Sequence, residues 1–458
     1  MATISMAAPM GGSLKDAERT IISALDRSPF TRRHVIFTFA ILASLFFDYG
    51  KPIALSFVIP GMRAGWNLSA QTGSLLAVFG LTGTMIGAIT WGFVSDRIGR
   101  RVTLLWTVAI FSVASLCGLA VAYWNSLLAC LIMGFGVGAE VPAVLASEYI
   151  PAKYRARTLL FLGLAGWLGG YAFTAGLSTI FNNYFPVHQA WRFIWLANIL
   201  PGFLILWLRS RVIPESARFL LHHGRVEEAR AAAESIVGPI TEVPAASLEE
   251  EAEMPAENAS QRSLYGRAAV AGFYALAVSF ATFGFVIWLP TLLTSIGFTS
   301  SGSSAYLLLS ALIALPALAI TTPVLHWLGP RRTLIVYALG AGLALFALGM
   351  GVSRGLVSPV FLVVIISLVL FYITSISGLL SLYAVEIFPT GLRGRFSGAI
   401  AALGRVGAIS GPFTVGVWIT RGGQISVLQI GLAAFLIAAA VVLVVLRVET
   451  HGRSLEQI

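Results

Sequence analysis

The stretch GFVSDRIGRR, Gly92–Arg101, joins two long apolar segments and contains one aspartate and three arginines. A charged turn punctuated by glycines is costly between apparent membrane spans unless it lies at a membrane surface. We therefore predict a membrane-surface loop with a function of its own. Its residues of interest are Gly92, Asp96, Arg97, Gly99, Arg100 and Arg101.

The composition of the whole chain is that of a membrane protein. Of its 458 residues, 57% are hydrophobic and 11% are charged, and the mean hydropathy is +0.86. Soluble domains carry about 25% charged residues, so an ordinary soluble enzyme is excluded. The sequence has no metal-binding His/Cys cluster, phosphate-binding glycine loop or nucleophile–base pattern, so we predict neither an enzyme nor a cofactor or metal.

Twelve apolar windows are each long enough to cross a bilayer as a helix. They lie at 34–58, 69–95, 102–122, 125–147, 158–181, 191–208, 268–290, 303–325, 333–352, 358–382, 396–419 and 425–446. The predicted fold class is therefore an all-α membrane protein with twelve transmembrane helices, and the bilayer is its predicted surrounding.

The positive charges predict the orientation. Loops on one side, together with both termini, hold most of the 30 Lys and Arg residues, and loops of this kind face the cytoplasm. This placement explains the net charge of +10 without a nucleic-acid partner. We predict a multi-pass protein of the cytoplasmic (inner) membrane with both termini cytoplasmic. Its predicted parts are a tail at 1–33, six-helix halves at 34–208 and 268–446, a linker at 209–267 and a tail at 447–458.

The two predicted halves repeat one another. SEYIPAKYRAR, Ser147–Arg157, aligns without gaps with VEIFPTGLRGR, Val385–Arg395, and Gly99 aligns with Gly329. Acids and arginines at cytoplasmic helix ends can pair with each other and with helix dipoles, and so close an inner mouth. The alternative for the loop arginines is that they only set the topology. The predicted cytoplasmic gate adds these residues to the loop: Glu148, Arg155, Arg157, Glu386, Arg393 and Arg395.

The loop Gly92–Arg101 resembles the signature between helices 2 and 3 of the major facilitator superfamily. Gly134–Gly170, the PESARFL stretch after the sixth window and Tyr383–Pro412 resemble its metabolite–proton symporters, which include nicotinate and aromatic-acid carriers. They also resemble organic-ion transporters and synaptic-vesicle-glycoprotein relatives. The resemblance implies two pseudo-symmetric six-helix halves around a central cavity, which rock to open it alternately to each side.

Two departures from these relatives bear on function. The aromatic-acid carriers usually have an Asp-Gly-x-Asp pattern in helix 1, whereas this chain reads FFDYGK and places Lys51 where the second acid is expected. The usual assignment of proton and substrate residues is therefore not carried over. Helix 5 reads GLAGWLGGY, without the proline that many drug–proton antiporters have there, which argues against drug export.

Four formal charges lie well inside predicted spans, namely Asp48, Lys51, Glu140 and Arg405. Each is costly at that depth unless it faces a cavity or a partner. Asp48 and Lys51 share a helix face, so either they neutralise each other or Lys51 binds an anionic substrate. Arg405 offers a planar fork to a carboxylate, and its alternative is a structural contact with backbone carbonyls.

Glu140 is the predicted proton site, because a carboxyl group inside a span can load and release a proton. Asp48 is the second candidate, and the alternative for Glu140 is a permanent ion pair with Lys51 or Arg405. Aromatic rings in membrane spans more often pack than bind ligands, yet four are predicted as substrate contacts: Trp167, Tyr171, Trp288 and Tyr372.

The sequence therefore predicts a monomeric secondary transporter that uses the proton gradient to import a small organic anion. The expected substrate is an aromatic or heterocyclic carboxylate such as nicotinate or benzoate. Three alternatives stay open: an organic-cation or drug–proton exchanger, a symporter of sugars or other neutral metabolites, and a transport-silent receptor.

Overall fold

The computed structural model describes residues 11–137, 141–199, 202, 212–240, 261–388 and 390–445. The regular elements in these ranges are helical. Besides a 3₁₀ turn at Ser115–Leu119, they are α1 Gly11–Arg27, α2 Arg32–Trp66, α3 Ala70–Ile98, α4 Arg100–Ala114, α5 Tyr123–Val137, α6 Val141–Tyr149, α7 Ala152–Tyr184, α8 Val187–Ala197, α9 Ala217–His222, α10 Val226–Val237, α11 Gln261–Val286, α12 Leu289–Ser295, α13 Ser300–Ala314, α14 Ala317–Leu328, α15 Pro330–Ser353, α16 Pro359–Glu386, α17 Thr390–Thr420 and α18 Ile425–Val445.

The helices confirm the predicted all-α membrane fold. Ten helical stretches are long and apolar enough to cross a membrane, and the pair α13 and α14, bent by 41°, makes an eleventh. The sixth predicted window, 191–208, overlaps α8 and then runs outside the described residues. The third window is one apolar span, but α4 gives way to the 3₁₀ turn part-way along it.

Each half pairs its helices in the same pattern. α2 packs on α7 as α11 packs on α17, and α3 packs on α5 as α13 packs on α16. The 3₁₀ turn after α4 packs on α8, and its counterpart α15 packs on α18. The first half is therefore α2 to α8 and the second is α11 to α18, related by pseudo-symmetry.

The turns after α3 and after α14 show the repeat at the level of single atoms. Each turn is a glycine with positive φ, 97° at Gly99 and 79° at Gly329, a conformation that glycine adopts without steric cost. The hydroxyls of Thr103 and Thr333 donate to the carbonyls of these glycines, both at 2.7 Å. The repeat read from the sequence is thus a structural repeat.

The two glycine turns mark one end of the molecule, which we call the basic end because the arginine-rich loops lie there. The other end, at the α2–α3 and α17–α18 turns, we call the opposite end. α1, α9 and α10 pack together at the basic end of the first half, where Ile21 and Leu25 of α1 are buried. α9 and α10 lie in the predicted linker, and α1 lies in the predicted N-terminal tail.

Candidate functional site between the two halves

The two halves are hydrogen-bonded to each other at the opposite end. The backbone N–H of Gln71 in α3 donates to the hydroxyl of Thr420 in α17 at 2.7 Å. The hydroxyls of Ser178 in α7 and Ser304 in α13 share a hydrogen bond of 2.8 Å. Both bonds join the first half to the second, so the interface is closed at this end.

Arg63 and Trp288 complete the closure. The fully buried indole N–H of Trp288 donates to the carbonyl of Pro412 at 2.9 Å. The guanidinium of Arg63, from the first half, lies 5.7 Å from the centroid of the indole, which is a cation–π distance. The structure therefore places Trp288 in the closed end, and its predicted contact with a substrate stays a prediction.

The α3–α17 contact changes along its length. A Cβ added to Gly416 would lie 2.8 Å from the Cβ of Ser74, so the two helices touch there. Gly92 and Gly398 lie five helical turns from that contact toward the basic end, about 27 Å along each helix and on the same faces. A Cβ added to either of these glycines would find nothing within 4 Å. The two helices therefore diverge toward the basic end.

A cavity of about 340 Å³ lies at the basic end beside Gly92. The side chain of Phe93, which lines the cavity, is 71% exposed. The cavity is lined by Ile89, Gly92, Phe93, Ser95, Asp96, Arg100, Val141 and Val144. All of these residues belong to the first half. The diverging glycines make the α3–α17 side of the interface closed at the opposite end and open at the basic end.

Arg405 crosses the interface half-way between the two ends. Its guanidinium donates to the backbone carbonyl of Thr84 at 3.2 Å, and each residue lies near the middle of its helix. The structural alternative, a contact with a backbone carbonyl, is therefore observed for one N–H group. The geometry puts a positive charge on the shared surface at mid-depth.

Trp167 and Tyr171 lie in the apolar cluster that joins the halves. Their rings stack with centroids 5.7 Å apart and planes 14° apart, and the ring of Phe57 meets Tyr171 edge-on. Leu307 and Ala311 of the second half belong to the same cluster. The fully buried hydroxyl of Tyr171 has no hydrogen-bond partner among the described residues. Such a group is costly, so this hydroxyl is a candidate ligand contact.

Lys51 and Asp48 lie away from the shared surface. The Lys51 ammonium is fully buried and donates to Ser115 Oγ at 2.6 Å and to Asn198 O at 2.5 Å, both in the first half. Asp48, 8% exposed, interacts electrostatically with Lys51. Both printed hydrogen bonds of the ammonium therefore stay within the first half, and the predicted substrate role of Lys51 stays a prediction.

Of three further predicted residues, the structure describes the side chain of Tyr372 only. The ring of Tyr372 packs on Tyr337 at 5.5 Å and against Gly340, so its described contacts lie inside the second half. Glu140 lies outside the described residues, and so does the side chain of Arg393. The proposed roles of Glu140 and Arg393 stay predictions.

Three predicted gate residues of the first half, Arg100, Asp96 and Glu148, form one charged cluster. Arg100 binds the carboxylate of Asp96 at 2.8 Å and approaches that of Glu148 at 3.8 Å, and Asp96 remains 67% exposed. Arg155 pairs with Asp26 of α1 and donates to the carbonyl of Ile150. Of the other charged gate residues whose side chains are described, Arg101 and Glu386 are half-buried, and Arg97, Arg157 and Arg395 are exposed.

Glu215, at the start of the linker, was not predicted as part of this cluster. Its carboxylate accepts the backbone N–H groups of Arg100 at 2.7 Å and Arg101 at 3.0 Å, and so caps α4. The neighbouring Ser216 hydroxyl donates to the carboxylate of Glu148. A side chain at Gly99 would collide with the Glu215 carboxylate. This is a second reason, besides the positive φ, why the position requires glycine. The Pro-Glu-Ser stretch after the sixth window is the sequence feature from which the role of Glu215 could have been predicted.

We expect Glu215→Ala to destabilise the first half, because it leaves the first N–H groups of α4 uncapped. Loss of a cap costs about 1 kcal/mol, and a carboxylate at a helix N-terminus adds a favourable dipole interaction. A lower unfolding temperature of the purified protein in detergent measures the loss. Glu227→Ala, an exposed acid in α10, is the matched control. Equal unfolding temperatures for the two variants would contradict the capping role.

Comparison with known proteins places the chain among transporters. The family model for sugar (and other) transporters matches residues 36–458. The chain belongs to this family. It is 25% identical to the niacin transporter NiaP of Acinetobacter baylyi over 96% of this chain and 99% of that protein. It is 28% identical to the gallate transporter of Pseudomonas putida, over 93% and 95% of the two chains.

A solved structure shows the same fold. The inward-open xylose transporter XylE of E. coli superposes with a TM-score of 0.73 and 19% identity, covering 93% of this chain and 98% of that one. At this identity the likeness concerns the fold alone, which is the twelve-helix, two-half fold of the major facilitator superfamily. Together with the family match over residues 36–458, this confirms the superfamily inferred from the Gly92–Arg101 loop, and the protein is a multi-pass membrane transporter.

Proposed function

We propose that this transporter imports a small organic anion together with protons, and that its substrate is an aromatic or heterocyclic carboxylate. The observation that carries the proposal is Arg405, a cation on the shared surface at mid-depth. A guanidinium binds a carboxylate through two parallel hydrogen bonds. The relatives support the same class, because niacin and gallate are both small ring carboxylates.

The proposed mechanism is alternating access between the two ends. The positive-inside rule assigns the basic end to the cytoplasm, so the described conformation faces inward. Inward movement of substrate then requires the Gln71–Thr420 and Ser178–Ser304 bonds to break while α3 and α17 close at Gly92 and Gly398. The aromatic pair Trp167–Tyr171 offers a ring-sized apolar surface, and the Tyr171 hydroxyl offers a hydrogen-bond donor to the substrate.

Uptake into proteoliposomes tests the proposal directly. An acidic outside medium and a negative inside potential would drive labelled nicotinate, benzoate or gallate, with nicotinamide as the uncharged control. We expect at least one carboxylate to accumulate and nicotinamide not to. Transport of xylose or tetraethylammonium instead would favour the neutral-metabolite or cation alternatives. Binding of a ligand without any uptake would favour a receptor.

We propose Glu140 as the proton-carrying group, with Asp48 second because Asp48 already interacts with Lys51. In a symporter, the protonated carboxyl travels with the substrate, so a permanently neutral side chain uncouples the two. We expect Glu140→Gln to abolish accumulation driven by a pH gradient while exchange of labelled for unlabelled substrate persists. Accumulation equal to that of the wild type would remove Glu140 from this role, and Asp48→Asn would then be the next variant.

A further inference from the structure

The ammonium of Lys51 lies where two helices of the first half end. α4 ends at Ala114 and the chain continues as the 3₁₀ turn from Ser115. α8 ends at Ala197, with Asn198 as its cap residue. Lys51, from the middle of α2, reaches both ends and is fully buried there. The transport mechanism proposed above does not use this group.

The hydrogen-bond directions at this junction are fixed by the acceptors. The Ser115 hydroxyl donates to the carbonyl of Phe111 at 3.1 Å, so its oxygen accepts from Lys51 at 2.6 Å. The carbonyl of Asn198 can only accept, and it does so from Lys51 at 2.5 Å. Both contacts are charge-assisted hydrogen bonds when the Lys51 amine is protonated.

Three further features of the junction favour a cation. The C-terminal ends of α4 and α8 carry partial negative charge from the helix dipoles. The ring of Phe111 lies with its centroid 5.1 Å from the Lys51 nitrogen, within the range of a cation–π interaction. The carboxylate of Asp48 adds a formal negative charge one turn back on α2.

We propose that this junction is a cation-binding site for a compact primary ammonium, and that the Lys51 side chain occupies it as a tethered ligand. Oxygen acceptors, helix C-termini and an aromatic face meet at the ammonium, with a carboxylate one turn away on α2, and helix ends and carbonyl oxygens likewise hold cations at sites built from interrupted membrane helices. Lys51 is thus a positioning residue that joins α2 to the ends of α4 and α8. A chain without this side chain binds a free alkylammonium ion in its place.

The test is chemical rescue with a probe that matches the deleted atoms. Lys51→Ala removes Cγ, Cδ, Cε and Nζ, which together are the atoms of n-propylammonium. Lys51→Met is the control variant, because it removes the charge but fills the space of the stem. The full-length proteins are solubilised and purified with n-propylammonium chloride, tetramethylammonium chloride or sodium chloride, and their unfolding temperatures are compared.

We expect n-propylammonium alone to raise the unfolding temperature of Lys51→Ala saturably, by about 2–4 °C. The wild type and Lys51→Met should not respond, and tetramethylammonium should have no effect because it has no N–H donor. If Lys51→Ala is recovered as folded protein only in n-propylammonium, the proposal is also supported. The absence of a specific response, or an unfolding temperature of Lys51→Ala equal to that of the wild type, overturns it. The outcome does not depend on the transported substrate.

Discussion

Arg405→Ala is expected to lower the uptake of the transported carboxylate by at least tenfold. A hydrogen bond to a charged partner contributes about 1.5–3 kcal/mol, which corresponds to roughly tenfold to a hundredfold in binding. Arg405 supplies the only cation that the described residues place on the shared surface at mid-depth. Initial rates of uptake in proteoliposomes, normalised to the amount of reconstituted protein, measure the effect.

Two control variants separate charge from structure in this experiment. Arg405→Lys keeps the charge without the planar fork and should retain part of the uptake. Arg354→Ala removes an exposed arginine from the opposite end and should leave uptake unchanged. Loss of the Arg405–Thr84 bond alone would lower stability without changing substrate choice. Carboxylate uptake by Arg405→Ala at the wild-type rate would contradict the anion site.

Gly398→Val is expected to abolish transport while leaving the stability of the described conformation unchanged. A Cβ at Gly398 finds nothing within 4 Å in this conformation, so the folded protein has room for it. Closing the basic end brings α17 onto α3, where Gly92 faces it, and the added side chain then stands between the helices. Uptake should fall more than tenfold, at an unfolding temperature equal to that of the wild type.

Gly416→Val is the matched control, because it lies on the same face of α17 at the closed end. Its Cβ would lie 2.8 Å from that of Ser74 and 3.0 Å from the carbonyl of Ala70, and overpacking of this kind costs about 1–3 kcal/mol. The unfolding temperature of Gly416→Val should therefore fall. If Gly398→Val transports normally, α3 and α17 do not close at these glycines and the proposed rocking motion is wrong.

The sequence predicted the features that depend on local pattern. Continuous apolar windows are a direct consequence of the bilayer thickness, so the spans and the two halves followed from hydropathy and the internal repeat. The depth of Arg405 was likewise readable, because its position in a span is a matter of counting. The turn at Gly99 was predictable because charged residues flank it and it lies between two long apolar segments.

Features that depend on the facing of a helix or on distant partners were not predicted. The sequence predicted that Lys51 and Asp48 share one face of the first span, which is α2 in the structure. Hydropathy is nearly uniform around that helix, so the pattern did not indicate whether this face points into the cavity or into the first half. Glu215 caps α4 from across more than a hundred residues of chain. The pairing of Arg155 with Asp26 depends on the packing of α1 against the first half. No local sequence motif predicts that packing.

Equilibrium binding of labelled ring carboxylates to the purified protein tests the central claim most directly. The wild type, Arg405→Ala and Arg354→Ala would each be measured with nicotinate, benzoate and gallate, and with nicotinamide as competitor. We predict saturable binding of at least one carboxylate to the wild type and Arg354→Ala, loss of that binding in Arg405→Ala, and no competition by nicotinamide. Equal carboxylate binding in Arg405→Ala, or binding of neutral or cationic compounds alone, would contradict it.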